Sequence, residues 1–124
     1  MPDPIPEVIV VEDDPSMSQA IERMLAMAGY RTTAFPTAEA MLACDAARGA
    51  DCLVIDVQLP GASGFELRRR LTQAGTTSPV IFITGHDTPA VRDEADQLGA
   101  SAFLAKPFSG RDLTRAVGRA LGRP

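Results

Sequence analysis

Cys52-Leu53-Val54-Ile55-Asp56-Val57-Gln58-Leu59-Pro60-Gly61-Ala62-Ser63-Gly64 is the stretch on which the fold turns. Cys52 to Ile55 are apolar and partly β-branched, which suits a strand buried on both faces. The run ends at a carboxylate, Asp56. A loop with Pro60, Gly61 and Gly64 follows, and a helical pattern opens after Ser63. In an open parallel sheet, ligands bind beyond the carboxyl ends of the strands, and Asp56 stands at such an end. A carboxylate there serves as a nucleophile, a metal ligand or a helix cap. The surrounding chain chooses among these.

Outward from this stretch the same unit recurs. Val8 to Val11, Tyr30 to Phe35, Pro79 to Thr84 and Ala102 to Ala105 read as four further strands. Asp14 caps a first helix that has Pro15 at its first position. Its apolar stripe runs Met17, Ala20, Ile21, Met24, Leu25 and Ala28, and Gly29 ends it. Thr37 caps a second helix, with Met41 and Leu42 inward, running out near Gly49. Ser63 and Glu66 form a capping box for a third helix, with Leu67, Leu71 and Ala74 inward. Thr88 and Pro89 start a fourth, with Val91, Ala95 and Leu98 inward. Ser109 and Asp112 suggest a second capping box, opening a last helix with Leu113, Ala116, Val117, Ala120 and Leu121 as its stripe. Strand and helix alternate through five units, which implies an α/β fold with a parallel sheet covered on both sides. The expected architecture is one doubly wound, flavodoxin-like (βα)5 domain spanning residues 1–124, with its core at about 7–122. Chain order does not by itself fix strand order, so the order 2-1-3-4-5 rests on analogy.

Composition narrows the function. At 124 residues one domain is the default, and 45% hydrophobic residues suffice for one core. A net charge of −4 argues against direct nucleic-acid binding by this domain, because phosphate-binding surfaces are normally basic. On the same ground Arg68-Arg69-Arg70 reads as a solvated helix face. No apolar run reaches the ~18 residues of a membrane span. Met1-Pro2-Asp3-Pro4 does not resemble a signal peptide. Cys44, in a helical pattern, and Cys52, at a strand start, read as reduced and mostly buried thiols of a cytoplasmic protein.

The polar residues just past the strands then form a set. Glu12 and Asp13 follow the first strand, Asp56 the third, Thr84 the fourth and Lys106 the fifth. Each alone has an ordinary explanation, a helix cap or a solvated lysine. Together they gather on one rim of the sheet. Carboxylates packed this closely repel, which raises the pKa of at least one. A hard divalent cation relieves the repulsion, and Mg²⁺ (with Mn²⁺ as the alternative ion) binds through one or two carboxylates while accepting phosphate oxygens. Lys106 adds a compact ammonium and Thr84 a hydroxyl donor. Such a site suits phosphoryl transfer, where catalysis is mostly positioning and charge neutralisation. Asp56 is the best nucleophile, giving an aspartyl phosphate.

These residues carry a resemblance. From about Val8 to Leu121 the chain is similar to the receiver domain of bacterial two-component response regulators. The matching motifs are Val10-Val11-Glu12-Asp13-Asp14, Ile55-Asp56-Val57-Gln58-Leu59-Pro60-Gly61 with Gly64, Ile83-Thr84-Gly85, and Lys106-Pro107-Phe108. Leu59-Pro60-Gly61 and Ile83-Thr84-Gly85-His86 look most similar to the FixJ-like branch, whose members usually carry a C-terminal DNA-binding domain. The resemblance implies that Asp56 accepts phosphate from a histidine kinase's phosphohistidine. It implies that Asp13, Asp56 and the backbone carbonyl of Gln58 bind Mg²⁺, and that Glu12, where the family usually has Asp, acts through a metal-bound water. Thr84 and Lys106 would bind the phosphoryl oxygens. The Lys106-Pro107 peptide is expected to be cis. Phe103 stands at the family's aromatic switch position, and reads equally as an ordinary core aromatic.

Gln58 and His86 lie two residues past Asp56 and Thr84, at positions that tune phosphate lifetime in the family. His86, the only histidine, reads rather as a loop residue without a catalytic role than as a general base. The expected protein is a switch, not an enzyme on outside substrates: it catalyses only its own phosphorylation and dephosphorylation. The face made by the fourth helix, fifth strand and fifth helix would change partner, through homodimerisation or docking of an output domain, with transcriptional regulation the expected output. Asp93, Glu94 and Asp96 lie on one side of that face and Arg111, Arg115 and Arg119 on the other. Two rivals remain. An aspartate-nucleophile phosphohydrolase needs a second acid two residues on, where Gln58 stands. An interaction module that is never phosphorylated would not need the full pocket. Gly122-Arg123-Pro124 reads as the end of a stand-alone receiver or as the start of a linker.

Overall fold

The computed structural model is organised around one sheet. β1 (Glu7–Val11), β2 (Arg31–Phe35), β3 (Cys52–Asp56), β4 (Val80–Thr84) and β5 (Ala102–Ala105) form one five-stranded sheet in the order β2-β1-β3-β4-β5. Every pairing is parallel, with Val11 beside Ile55, Asp56 beside Ile83 and Thr84 beside Ala105 at the carboxyl rim. The doubly wound order expected by analogy is the order found. The described residues are 4–122; Met1 to Asp3 and the linker reading of Arg123-Pro124 lie outside them.

The helices are α1 (Pro15–Met27), α2 (Ala38–Leu42), α3 (Gly64–Gln73), α4 (Pro89–Gln97) and α5 (Gly110–Ala120). They divide between the two faces of the sheet. Ile21 and Leu25 of α1 pack with Leu113 and Val117 of α5 against Val8, Val10, Val54 and Ile81. Met41 of α2, Leu67 and Leu71 of α3 and Ala95 of α4 pack against Ile9, Leu53, Ile55 and Phe82. The Phe65 and Phe82 rings meet edge to face, with centroids 4.9 Å apart, a geometry worth ~1 kcal/mol beyond the area it buries. β1, β3 and β4 are apolar on successive residues because both their faces are covered.

Local details depart from the periodicity at helix ends. Ala28 and Ala74 are exposed, because each is the C-cap of its helix, where the stripe has rotated away from the core. The second helix stops at Leu42 instead of reaching Gly49. A separate 3-10 turn, Asp45–Gly49, follows it and buries Ala47. Cys44 lies in the break between them and is only half-buried, whereas Cys52 is fully buried; both are free thiols. Of the expected inward residues of α4, only Ala95 is buried, and Val91 and Leu98 are half-covered. The capping box at α3 is half formed. Ser63 Oγ accepts the Glu66 N–H at 3.1 Å, but the Glu66 carboxylate turns to Arg70 Nε at 3.3 Å.

Candidate functional site

At the end of β1 three acids part company. Asp14 is a helix cap: its Oδ1 accepts the Ser16 N–H at 2.9 Å, with Pro15 opening α1. Glu12 and Asp13 are thereby left facing the rim. Glu12 is buried and Asp13 exposed. A carboxylate oxygen from each of Glu12, Asp13 and Asp56 lies within 4.8 Å of the others. An all-oxygen cluster of this kind fits a hard divalent cation.

Lys106 reaches into the cluster from the end of β5. Its backbone N–H donates to the Thr84 carbonyl at 2.8 Å, which extends the β4–β5 pairing past the strand. Its ammonium donates to Glu12 Oε1 at 2.6 Å and to Asp56 Oδ2 at 2.8 Å. The Lys106-Pro107 peptide is cis. The second oxygen of each acid is also engaged, Glu12 Oε2 by the Asp14 N–H at 3.1 Å and Asp56 Oδ1 by the Gln58 N–H at 2.9 Å.

These contacts set the electrostatics. Burial is the largest influence on Glu12 and raises its pKa; hydrogen bonds from Lys106 and the Asp14 N–H pull it back, and neighbouring Asp56 pushes it up again, to about 7. The rise is mainly the effect of burial, and the repulsion expected between crowded carboxylates is a smaller contribution, from Asp56. For Lys106, burial opposes the ammonium, but the hydrogen bonds to Asp56 and Glu12 outweigh it and hold the amine above its ordinary value.

Thr84, at the end of β4, is fully buried. Its hydroxyl donates to Gln58 Oε1 at 2.6 Å and accepts the His86 N–H at 2.9 Å. The His86 side chain is exposed. Phe103 on β5 is half-buried and lies beneath Arg92, whose guanidinium carbon is 5.0 Å from the ring centroid. Arg92 is itself gripped by both carboxylate oxygens of Asp87, at 2.6 and 2.8 Å.

The loop between Asp56 and α3 is built by two further residues. Gly64 donates its N–H to the Val57 carbonyl at 3.0 Å, and a Cβ there would lie 2.2 Å from the Asp56 carbonyl oxygen. Glu39 of α2 accepts the Ala62 N–H at 3.1 Å and so pins the loop from outside. Its carboxyl is held below the usual range by hydrogen bonds from its own backbone N–H and then that of Ala62. Sequence reading missed Glu39, because a carboxylate that grips a loop 23 residues away leaves no periodic trace. It also took Arg68 as solvated. Arg68 instead ties α3 to the Ser78 carbonyl at 3.1 Å and the Leu98 carbonyl at 3.3 Å.

A doubly wound sheet with acids, a lysine and a threonine at its carboxyl rim defines a class of α/β proteins whose ligand site lies at the strand ends. The comparisons narrow that class to one family: residues 8–118 match the response regulator receiver domain, and the chain belongs to it. It is 37% identical over 123 residues to the transcriptional regulatory protein FixJ of Azorhizobium caulinodans, covering 99% of this chain and 58% of that protein. The FixJ-like branch expected from the motifs is thereby supported. The chain spans about half the length of the first curated relatives it matches. Among solved structures, a response regulator receiver protein from Burkholderia phymatum is 40% identical with a TM-score of 0.82, covering 96% of this chain and 97% of that one. The BeF3-activated DrrB receiver domain is 27% identical with a TM-score of 0.88, covering 97% of this chain and all of the other. No helix among the described residues is long and apolar enough to cross a membrane.

Proposed function

We propose that this receiver domain is a phosphoacceptor switch in which Asp56 takes a phosphoryl group from the phosphohistidine of a sensor kinase. One observation carries the reading: the nearly buried Asp56 carboxylate lies 2.8 Å from the Lys106 ammonium and shares a cluster with Glu12 and Asp13. An Asp56 carboxylate oxygen attacks phosphorus, the P–O bond forms as the P–N bond breaks, and the imidazole departs with the electron pair. Asp13, Asp56 and the Gln58 carbonyl would hold Mg²⁺, with Glu12 as an outer carboxylate. The cation would neutralise charge on the transferring phosphoryl oxygens. Lys106 supplies a positive charge already aimed at Asp56, and Thr84 a hydroxyl donor at the end of the adjacent strand. This preorganisation is what phosphoryl transfer asks of a protein.

The phosphoryl group adds charge and acceptor oxygens beside Thr84 and Lys106. Drawing those groups inward shifts the β4–α4 loop and, with it, the face of α4, β5 and α5, where Phe103 acts as the switch aromatic. The populations of two packings change. The partners proposed for that face are a second copy or an output domain, in a cytoplasmic protein that leads to transcriptional control. Glu94 bonds Arg69 of α3, so Asp93 and Asp96 are the acids left to meet Arg111, Arg115 and Arg119. The phosphohydrolase reading is disfavoured by Gln58, an amide that cannot protonate a leaving group.

Incubation with acetyl phosphate and Mg²⁺, followed by intact-mass measurement, tests the proposal. The expected result is one phosphoryl group per chain, absent in Asp56→Asn. An unmodified wild-type chain under saturating donor and metal would overturn it, and continuous rapid turnover of donor would favour the hydrolase.

A further inference from the structure

A threonine hydroxyl has one proton to give. At Thr84 that proton is engaged. The oxygen already accepts the His86 N–H at 2.9 Å, which leaves the proton for an acceptor on the other side, and Gln58 Oε1 takes it at 2.6 Å. Thr84 is fully buried, so bulk water offers no alternative partner. Gln58 is anchored at the same time to Asp56, whose Oδ1 accepts its backbone N–H at 2.9 Å. One residue therefore touches both the acceptor carboxylate, through its backbone, and the threonine, through its side chain.

We infer that the Gln58 side chain is a positioning residue that holds the Thr84 hydroxyl in reserve, so that a phosphoryl group on Asp56 must win the hydroxyl from the Gln58 amide. The inference rests on the reading of Asp56 as phosphoacceptor. The exchange runs toward the phosphoryl group, because a hydrogen bond to a charged oxygen is roughly twice as strong as one to a neutral amide. The Gln58 bond subtracts from that gain and biases the unmodified domain toward its resting arrangement. A single proton cannot serve both acceptors, so the two states exclude each other. Local geometry adds to this: Thr84 ends β4 and precedes the loop into α4, so its rotamer is coupled to the start of that loop through the His86 N–H.

Gln58→Met tests the inference, since it preserves chain length on an exposed loop residue and removes the amide acceptor. Three-bond couplings about the Thr84 Cα–Cβ bond, read by NMR without metal or phosphoryl donor, are expected to change from a single rotamer in the wild type to averaged values in Gln58→Met. With Mg²⁺ and beryllofluoride as the acyl-phosphate mimic, the half-saturating beryllofluoride concentration is expected to fall about 2- to 10-fold, the equivalent of one neutral hydrogen bond. The same substitution in a Thr84→Val background is expected to change nothing. Unaltered Thr84 couplings in Gln58→Met overturn the inference. So does an equal affinity change in the Thr84→Val background, because it makes the effect of Gln58 independent of the hydroxyl. A wild type that binds no beryllofluoride sinks the phosphoacceptor reading instead, and the couplings still decide whether Gln58 holds Thr84.

Discussion

The two sides of the β4 strand are packed differently. Toward the centre of the sheet, β1, β3 and β4 are apolar strands in which nearly every residue is inaccessible, and Asp56 projects from the end of this block. Toward the edge, all four residues of β5 are only half-buried, and α4 buries Ala95 alone. The proposed acceptor, Asp56, therefore sits on the rigid half, and the proposed output face on the yielding half, with Lys106 reaching across from the end of β5. A close-packed interior resists displacement. An element with few buried contacts opens locally at lower free energy. A phosphoryl-driven change would spread into α4 and β5 because that is where movement is least costly.

Core truncation is expected to give the largest contrast. Phe82 is fully buried and stacks edge-on with Phe65, so Phe82→Ala should lose about 3–5 kcal/mol. Leu98→Ala, at the half-covered C-cap of α4, should lose ~1 kcal/mol or less. Urea unfolding of both variants makes the comparison. Equal losses would mean that the two halves are equally tight. Gly64→Ala comes next. Its new Cβ would lie 2.2 Å from the Asp56 carbonyl oxygen and 2.9 Å from Ile55 Cγ2, so backbone must shift, at a cost of ~2–3 kcal/mol. Phosphoryl uptake from acetyl phosphate should fall with it, because the displaced atoms belong to Asp56, the proposed acceptor.

Much of this was legible before any coordinates. Each site residue follows a strand, and a parallel sheet sends all strand ends to one rim, so position in the chain sufficed to gather Glu12, Asp13, Asp56 and Lys106. The arrangement of their bonds was not legible. Lys106 divides between Glu12 and Asp56, and Thr84 turns to Gln58, through side-chain torsions that no period records. Arg68 was misread for a related reason. Its partners are carbonyls at Ser78 and Leu98, the loop ends of other elements, while the two residues after it, Arg69 and Arg70, are charged and exposed. Stripe counting failed at Ala28 and Ala74 because a helical phase ceases to mean anything at the cap.

A smaller effect probes the edge directly. Arg92 stacks on Phe103 and is held by Asp87, so it spans the start of α4 and the face of β5. Arg92→Ala should release the ring and speed amide exchange in α4, while β3 and β4 amides stay unchanged. Uniform acceleration across the sheet would show that Arg92 supports the whole fold and not the edge alone.

The two thiols carry the same comparison into chemistry. Burial pushes the Cys52 thiol up to about 12, from 9.0 in an open environment; a backbone hydrogen bond at Leu53 pulls it down and Asp51 adds to the rise. Between those values the unfolded chain loses its thiol proton and the folded chain keeps it. Stability from this group is therefore complete below pH 9 and is lost as pH rises toward 12, by ~1.4 kcal/mol per pH unit. Subtracting the pH dependence of a Cys52→Ala variant isolates that slope from other groups that titrate in the same range. Alkylation gives the kinetic counterpart: Cys44, half-buried beside the 3-10 turn, should label in the native protein, whereas Cys52 should label only as fast as the sheet opens. Native labelling of Cys52 at the rate of Cys44 would mean that the centre of the sheet breathes as freely as its margin, and the proposed division of labour between a fixed acceptor and a mobile output face would lose its physical basis.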